Sequence, residues 1–485
     1  MISKISKNPI LILLFIYIFS RLIIFNLFQL KFESDWIYQM WHFIDIELIK
    51  SKLFESVFYF HYQPPFFNLF LGFIYKQNII DPSTLLLIIF YSLTFFIGLI
   101  IYKTNFEITK SLRLSLISSI IFYLFPQTIL YENWPIYTWT SSFLICLSFF
   151  LLNAFFKNKK EKDLFLFFIA QLILILTRSA FHPIYFIGWF SMMIIFYSKY
   201  WKKITRSFLL PFLILLIVCF KNLYVFGFFG VGSGLGFSLY KITPKEINKV
   251  SVKNLVEINN EFEITPVRSI KTYGYDKKPI PENLKDIEIL NREFKTTLGR
   301  FTEEFSVNLG HFHYLEIAKK YQESSMAIIK KYPYEYFKRV LRGIIMFFKP
   351  SWDHGFGLEN NSPALKTYIN ITSLENLRYT LEKKIGVEKK PWPLSDKIAL
   401  TSYFIIPFFY LIIFILLFKK YGIKEILNKP HFLFFIFTVF YLFSVSNLVE
   451  LAENDRYRVM IDPIVYLVGT GLLFTRINRK NIHSN

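Results

Sequence analysis

Apolar runs of roughly bilayer-crossing length recur along this chain, and they constrain its fold more than any single motif. They cover Ile10–Leu30, Ser83–Tyr102, Leu114–Pro126, Ile136–Phe156, Leu164–Thr177, Ile184–Ser198, Ser207–Tyr224, Ile398–Phe418, His431–Val449 and Val459–Thr475. Lipid offers no hydrogen-bond partner to a bare backbone, so each run must close its own bonds as a helix. A span takes about 20 residues, and the shorter runs must borrow flanking residues or tilt against neighbours. Composition agrees: 53% of the 485 residues are hydrophobic, 20% are aromatic, and Phe alone contributes 59. The expected fold is an all-α polytopic membrane protein with about ten transmembrane helices, embedded in a lipid bilayer. The first run is too long for a signal-peptide core and lacks a small-residue cleavage site, so it is read as a span.

Charge sets the orientation. The net charge is +21, yet Lys and Arg gather in short clusters between apolar runs, as in cytoplasmic loops. No basic, aromatic-interleaved module suggests nucleic acid. With the N-terminus inside, the cytoplasmic segments are Met1–Pro9, Lys103–Arg113, Lys157–Asp163, Lys199–Arg206, Lys419–Lys429 and Arg476–Asn485, and they hold 20 Lys and Arg. The short outer loops Gln127–Pro135, Arg178–Pro183 and Glu450–Arg458 hold only Arg178, Arg456 and Arg458. This pattern survives only if the apolar stretch Pro64–Tyr75 does not cross. It is therefore read as a juxtamembrane or re-entrant helix on the outer side, with proline suited to its first turn. The site-bearing face then looks outward from a plasma (inner) membrane.

Three regions follow. Residues 1–224 form an N-terminal transmembrane module with an outer loop at 31–82. Residues 225–397 form a mostly helical extracytoplasmic segment, and 398–485 a C-terminal transmembrane module. Within the middle region, Tyr314–Lys349 has helical apolar spacing interrupted at Pro333. Asn222–Gly236 is glycine-rich and reads as a flexible loop; it lacks the lysine of a phosphate-binding P-loop. Cys146 and Cys219 sit in apolar runs and fit neither a disulfide framework nor a zinc site. His311 and His313 resemble a metal pair, but no third ligand is evident. No cofactor is called for, and use of a divalent metal is left open.

The unusual polar residues collect at the outer ends. They are Glu33, Asp35, His61 and Gln63, then Glu132 and Asn133, then Arg178 and His182, then Glu450, Glu453, Asp455, Arg456 and Arg458. Carboxylates suited to acid/base work thus share one membrane depth with arginines suited to an anion. Group transfer from a lipid phosphate fits such a set. The departing phosphate gains charge that fixed guanidiniums stabilise, while a carboxylate takes the acceptor's proton. Each residue also has a structural alternative. Asp35 suits an exposed loop, Glu132 a helix cap, Arg178 a snorkelling anchor and His61 a packing role.

The ordered set Asp35, His61-Tyr62-Gln63-Pro64-Pro65, Tyr131-Glu132-Asn133 and Glu453-Asn454-Asp455-Arg456-Tyr457-Arg458 resembles the GT-C fold membrane glycosyltransferases. Protein O-mannosyltransferases and bacterial lipid A aminoarabinose transferases are the nearest by pattern. The resemblance covers the first half of the chain and its last span. It implies an enzyme that takes a sugar from a polyprenyl-phosphate donor and passes it, with inversion, to an extracytoplasmic lipid, glycan or protein acceptor. It implies Asp35 as the catalytic acid, with Glu132 standing where the family's second acid, often Asp, is found. Glu33, His61, Gln63, Arg178, His182, Glu453, Asp455, Arg456 and Arg458 are the candidate substrate-binding residues. Two features depart from the family: Gln63 precedes the prolines where histidine is usual, and the large outer segment comes before the last three spans. A flippase for lipid-linked sugars would carry mid-bilayer charge and an internal repeat, and neither is seen in the sequence. A non-catalytic assembly subunit with the same fold is the other alternative.

Overall fold

The computed structural model describes residues 8–28, 30, 32–243, 270–296, 306–349, 399–451 and 453–483. Its elements are helical. Among the described residues the one extended pairing is an isolated bridge between Phe294 and Val307. Every apolar run forms a helix: α1 (Pro9–Phe28), α4 (Pro82–Thr109), α5 (Leu112–Leu124), α7 (Tyr137–Asn158), α8 (Glu161–Thr177), α9 (Pro183–Phe196), α10 (Trp201–Phe226), α14 (Ala399–Leu427), α15 (Pro430–Val449) and α16 (Asn454–His483). Between them lie α2 (Ile46–Tyr59), α3 (Pro65–Lys76), α6 (Pro126–Glu132), α11 (Leu235–Ile242), α12 (His313–Lys331) and α13 (Pro333–Phe347).

Seven helices among the described residues are long and apolar enough to cross a membrane. This is a multi-pass membrane protein. The expected count of about ten is not reached on length. Helix α9 has only 14 residues and α8 has 17. Helices α5 and α6 meet at a 59° bend, so together they are one broken span or a re-entrant pair. Pro126 starts α6 at the break, where its missing N–H costs no helical bond. The stretch Gln127–Pro135, expected as a loop, is thus mostly helix.

Local chemistry sets the ends. The Asp81 carboxylate accepts from the Thr84 amide at 2.9 Å and caps α4. The Ser111 hydroxyl caps α5 through the Leu114 amide at 3.3 Å. Inside the bundle, α7 is central, packed on α4, α8, α15 and α16. Buried side-chain bonds tie helices where no water can: Asn105 donates to Ser118 at 2.9 Å and to Thr470 at 2.7 Å, and Gln171 to Ser148 at 2.6 Å.

The glycine-rich stretch after α10 is not a free loop. Gly227, at φ 75°, ends the helix in the left-handed region. A Cβ on Gly232 would stand 2.9 Å from the Tyr62 carbonyl, and one on Gly236 would stand 1.8 Å from the Ala318 carbonyl. The glycines allow close backbone approach, which seats α11 on α12 and Tyr62 of the first loop against the segment that leads into α11. Helices α12 and α13 break at Pro333, as the spacing predicts. The remainder of the expected 225–397 segment, at 244–269, 297–305 and 350–397, lies outside the described residues.

Candidate functional site

Three helix ends meet at one place. Helix α7 starts there at Tyr137, α8 ends at Thr177 just before Arg178, and α16 starts at Asn454. The Arg178 guanidinium stacks on two rings, 5.0 Å from the Tyr137 centroid and 4.4 Å from that of Tyr457. Its Nη1 donates to the Thr138 hydroxyl at 3.3 Å and lies 3.4 Å from the Met460 sulfur. Among the described residues Arg178 makes no ion pair. Arg456 approaches the same Tyr137 ring from 5.9 Å and packs 5.3 Å from the Trp134 ring. Its Nη1 donates to Glu453 at 2.6 Å. Among the described residues its Nε and Nη2 are buried without a hydrogen-bond partner, on a side chain only 1% exposed. Leaving charged donors unmet in a dry place is costly, so such a guanidinium is poised for an anion.

The backbone supports that reading. Helix α7 has 22 residues, and its N-cap residue Ile136 offers no side-chain bond to the first-turn amides. A helix N-terminus carries unmet N–H donors and partial positive charge. Helix and guanidinium donors therefore converge around Tyr137.

A second layer surrounds the arginines. The His42 ring lies 5.7 Å from Tyr137 and 6.0 Å from Tyr62. Burial, abetted by Arg456, Lys241 and Arg178, pushes its pKa down to about 3, against the opposing pull of Glu453, so it is neutral at physiological pH. Lys241 pairs with buried Glu450 at 3.1 Å. Burial works against the Lys241 ammonium, but Glu450 and Glu453 outweigh it and hold it above the usual lysine range. Gln63 joins the rim, its carbonyl accepting from the Ser179 hydroxyl beside Arg178 at 3.3 Å.

The other candidates are placed differently. Asp35 is exposed at the start of a single helical turn, Trp36–Gln39, and makes no capping bond. It is linked to the arginines through the backbone: the Glu33 amide donates to the Asn133 carbonyl at 2.9 Å, and the next residue, Trp134, walls Arg456. Asp455 is buried beside Arg456, and Glu453 is that arginine's carboxylate partner. Arg458, also 1% exposed, turns away: its Nη1 donates to the carbonyls of Phe347 at 2.8 Å and Lys349 at 2.7 Å, and its Nε to Asp462 at 3.2 Å. A cation on the last carbonyls of α13 is a helix-end anchor.

His182 is exposed and caps α9 through the Ile184 amide at 3.3 Å. His61 is fully buried; its Nδ1 pairs with the Ser233 hydroxyl at 2.8 Å and its Nε2 with the His311 carbonyl at 3.3 Å. It holds the first loop to the segment after α10. The His311 Nδ1 accepts the His313 amide at 3.2 Å.

Glu132 sits in α6, inside the bundle, not in an outer loop. It is 0% exposed. Arg21 Nε stands 2.7 Å from its Oε1, close but off the hydrogen-bond line, and Arg21 Nη2 donates to its Oε2 at 2.9 Å. The Tyr17 hydroxyl lies 3.0 Å from Oε2, and Arg21 Nη1 donates to the Tyr123 carbonyl at 2.8 Å. Arg21 escaped the sequence reading because one charge in a long apolar run has no local signal of its partner. His42 and Tyr137 escaped because aromatic residues are everywhere in this chain, and Lys241 because it is one lysine among many in the long middle segment. No protein-family model, curated protein or solved structure matches the chain.

Proposed function

We propose that this protein is an integral membrane glycosyltransferase. It moves a sugar from a polyprenyl-phosphate carrier to an acceptor outside the cytoplasm, with inversion at the transferred carbon. The observation that carries the proposal is Arg456: buried, stacked with Arg178 around one tyrosine, and with two nitrogens unmet. The resemblance of the Asp35, Gln63-Pro64-Pro65 and Glu453–Arg458 segments to GT-C enzymes supports the same reading. So does the charge pattern, which turns this end of the bundle outward.

The chemistry follows from the parts. The carrier phosphate lies against Arg178, Arg456 and the α7 N-terminus. As the sugar–phosphate bond breaks, its electron pair stays on the phosphate oxygen, and the guanidiniums stabilise the growing charge. The acceptor hydroxyl attacks from the opposite face and gives its proton to Asp35. Glu132 is already engaged by Arg21 and Tyr17, so it serves as a latch under Asn133 and Trp134.

Cells lacking the protein, complemented with wild type or Asp35→Asn, test this. Mass spectrometry of lipid-linked sugars is expected to show an accumulated donor in the variant, with transfer reduced about 100-fold, as for loss of a general base. Normal transfer by folded Asp35→Asn would remove Asp35 from the reaction. A deletion strain with no accumulated lipid-linked sugar would remove the donor class.

A further inference from the structure

Helix α13 packs one face on α15 and α16 and, among the described residues, leaves the neighbouring face exposed. Val340 and Phe347 are buried, and Gly343 sits against Asn447 and Asn454. The Tyr336 hydroxyl donates to the Leu448 carbonyl at 2.7 Å, and the Phe347 ring meets Phe443 at 5.2 Å. Those contacts are five residues apart on α15, so α13 descends roughly 7.5 Å along that span. The bare face is apolar: Tyr334 is 67% exposed, Phe337 54%, Leu341 46% and Ile345 60%.

At 3.6 residues per turn, these four fall within roughly 80° of arc, between the buried face and a third band. That third band holds Lys338, Arg339 and Arg342 with Glu335 among them, which pairs with Lys338 at 2.9 Å, so the band keeps a net positive charge. Exposed Phe440 and Leu448 on α15, a membrane-crossing helix, continue the apolar surface beside α13. A helix with a packed face, an apolar face and a basic flank is built to lie along a bilayer, with its apolar side at the acyl boundary and its cations at the headgroups.

We infer that α13 is an interfacial helix docked on anionic lipid at the site end of the bundle. Arg458, through the Phe347 and Lys349 carbonyls, ties its lipid-facing end to α16. This inference rests on membrane residence, not on the glycosyltransferase reading.

The test uses the full chain in vesicles, with Cys146→Ala and Cys219→Ala as background. A single cysteine at Leu341→Cys or at Arg342→Cys carries an environment-sensitive fluorophore. Lipid with a nitroxide high on the acyl chain is expected to quench the probe at 341 about threefold more than aqueous iodide does, and the reverse is expected at 342. Iodide quenching both probes equally would overturn the proposal. So would a 341 probe shielded from both quenchers, since a protein partner would then cover the face. Phosphatidylglycerol in place of phosphatidylcholine is expected to deepen quenching at 341, and Arg342→Gln in the 341-labelled protein to reduce that gain. Quenching indifferent to phosphatidylglycerol would overturn the anionic-lipid assignment.

Discussion

Two buried arginine clusters lie in one bundle, and they differ in what they lack. Around Arg21 the charge is matched: Glu132 faces the guanidinium with both oxygens, one of them in line for a hydrogen bond, Nη1 donates to the Tyr123 carbonyl, and the Tyr17 ring packs on the group with its hydroxyl beside Glu132. Around Arg178 and Arg456 it is matched only in part. One arginine has a hydroxyl, a thioether and ring faces for company. The other spends one nitrogen on Glu453 and leaves two unmet. A buried guanidinium whose charge is matched on both sides inside the fold reads as architecture, and one that keeps donors over after its ion pair reads as a candidate site. The difference separates acids and bases that look alike in sequence: Glu132 belongs to the first kind, Arg456 to the second.

The largest expected effect falls on the closed cluster. Glu132→Ala leaves Arg21 charged and alone in the bundle, which should cost roughly 3–5 kcal/mol of stability. Thermal unfolding in detergent measures it. Replacing both partners, Arg21→Met with Glu132→Leu, should restore most of the loss. A folded, fully stable Glu132→Ala protein would break the distinction, because the closed pair would then hold nothing together.

At the open cluster the expectation reverses: activity falls and the fold survives. Arg456→Gln should lower transfer by roughly 100-fold or more, the scale seen when a fixed donor to a developing anion is removed. Melting should shift little, since two of the lost donors had no partner. Arg456→Lys should recover only part, because an ammonium does not reproduce the planar fork. Unchanged transfer with a large melting loss would place Arg456 with Arg21 as architecture.

The contrast explains what sequence alone revealed. The helices of the long apolar runs were legible, because apolar length in lipid leaves one backbone solution, whereas α2, α6 and α11 were not. Arg178 and Arg456 stood out in the sequence because they break the charge rule for the loops expected on the outer side. Arg458 breaks the same rule, yet it is held by Asp462 on its own helix and by two carbonyls at the end of α13, more than a hundred residues away in the chain. Glu132 was misplaced because Pro126 was read as the end of a span, whereas it starts α6 and carries the carboxylate back into the bundle. Partnership is a property of three dimensions; residue type and position along one span do not encode it.

The smallest effect tests a third kind of buried ionisable group, one kept neutral. His61 joins the first loop to the segment after α10 through Ser233 and the His311 carbonyl. With Nε2 protonated it donates to that carbonyl, and Nδ1 accepts from the serine. Burial pushes its pKa down to about 3, against 6.5 for the group in water. The unfolded seam therefore binds the proton more readily, so stability is fully present above about pH 6.5 and is lost as pH falls toward 3. At pH 5 the closed seam should be disfavoured by up to roughly 30-fold relative to pH 7.5. Hydrogen exchange of the amides at 60–63 and 231–237, corrected for intrinsic rates, reads this directly. His61→Gln should flatten the pH dependence while the amides of α7 stay protected. A seam whose exchange is independent of pH in the wild type would show that His61 is not held neutral. The first loop would then be held by pH-independent contacts such as the Ser233 amide on the His61 carbonyl and the glycine contacts at Tyr62.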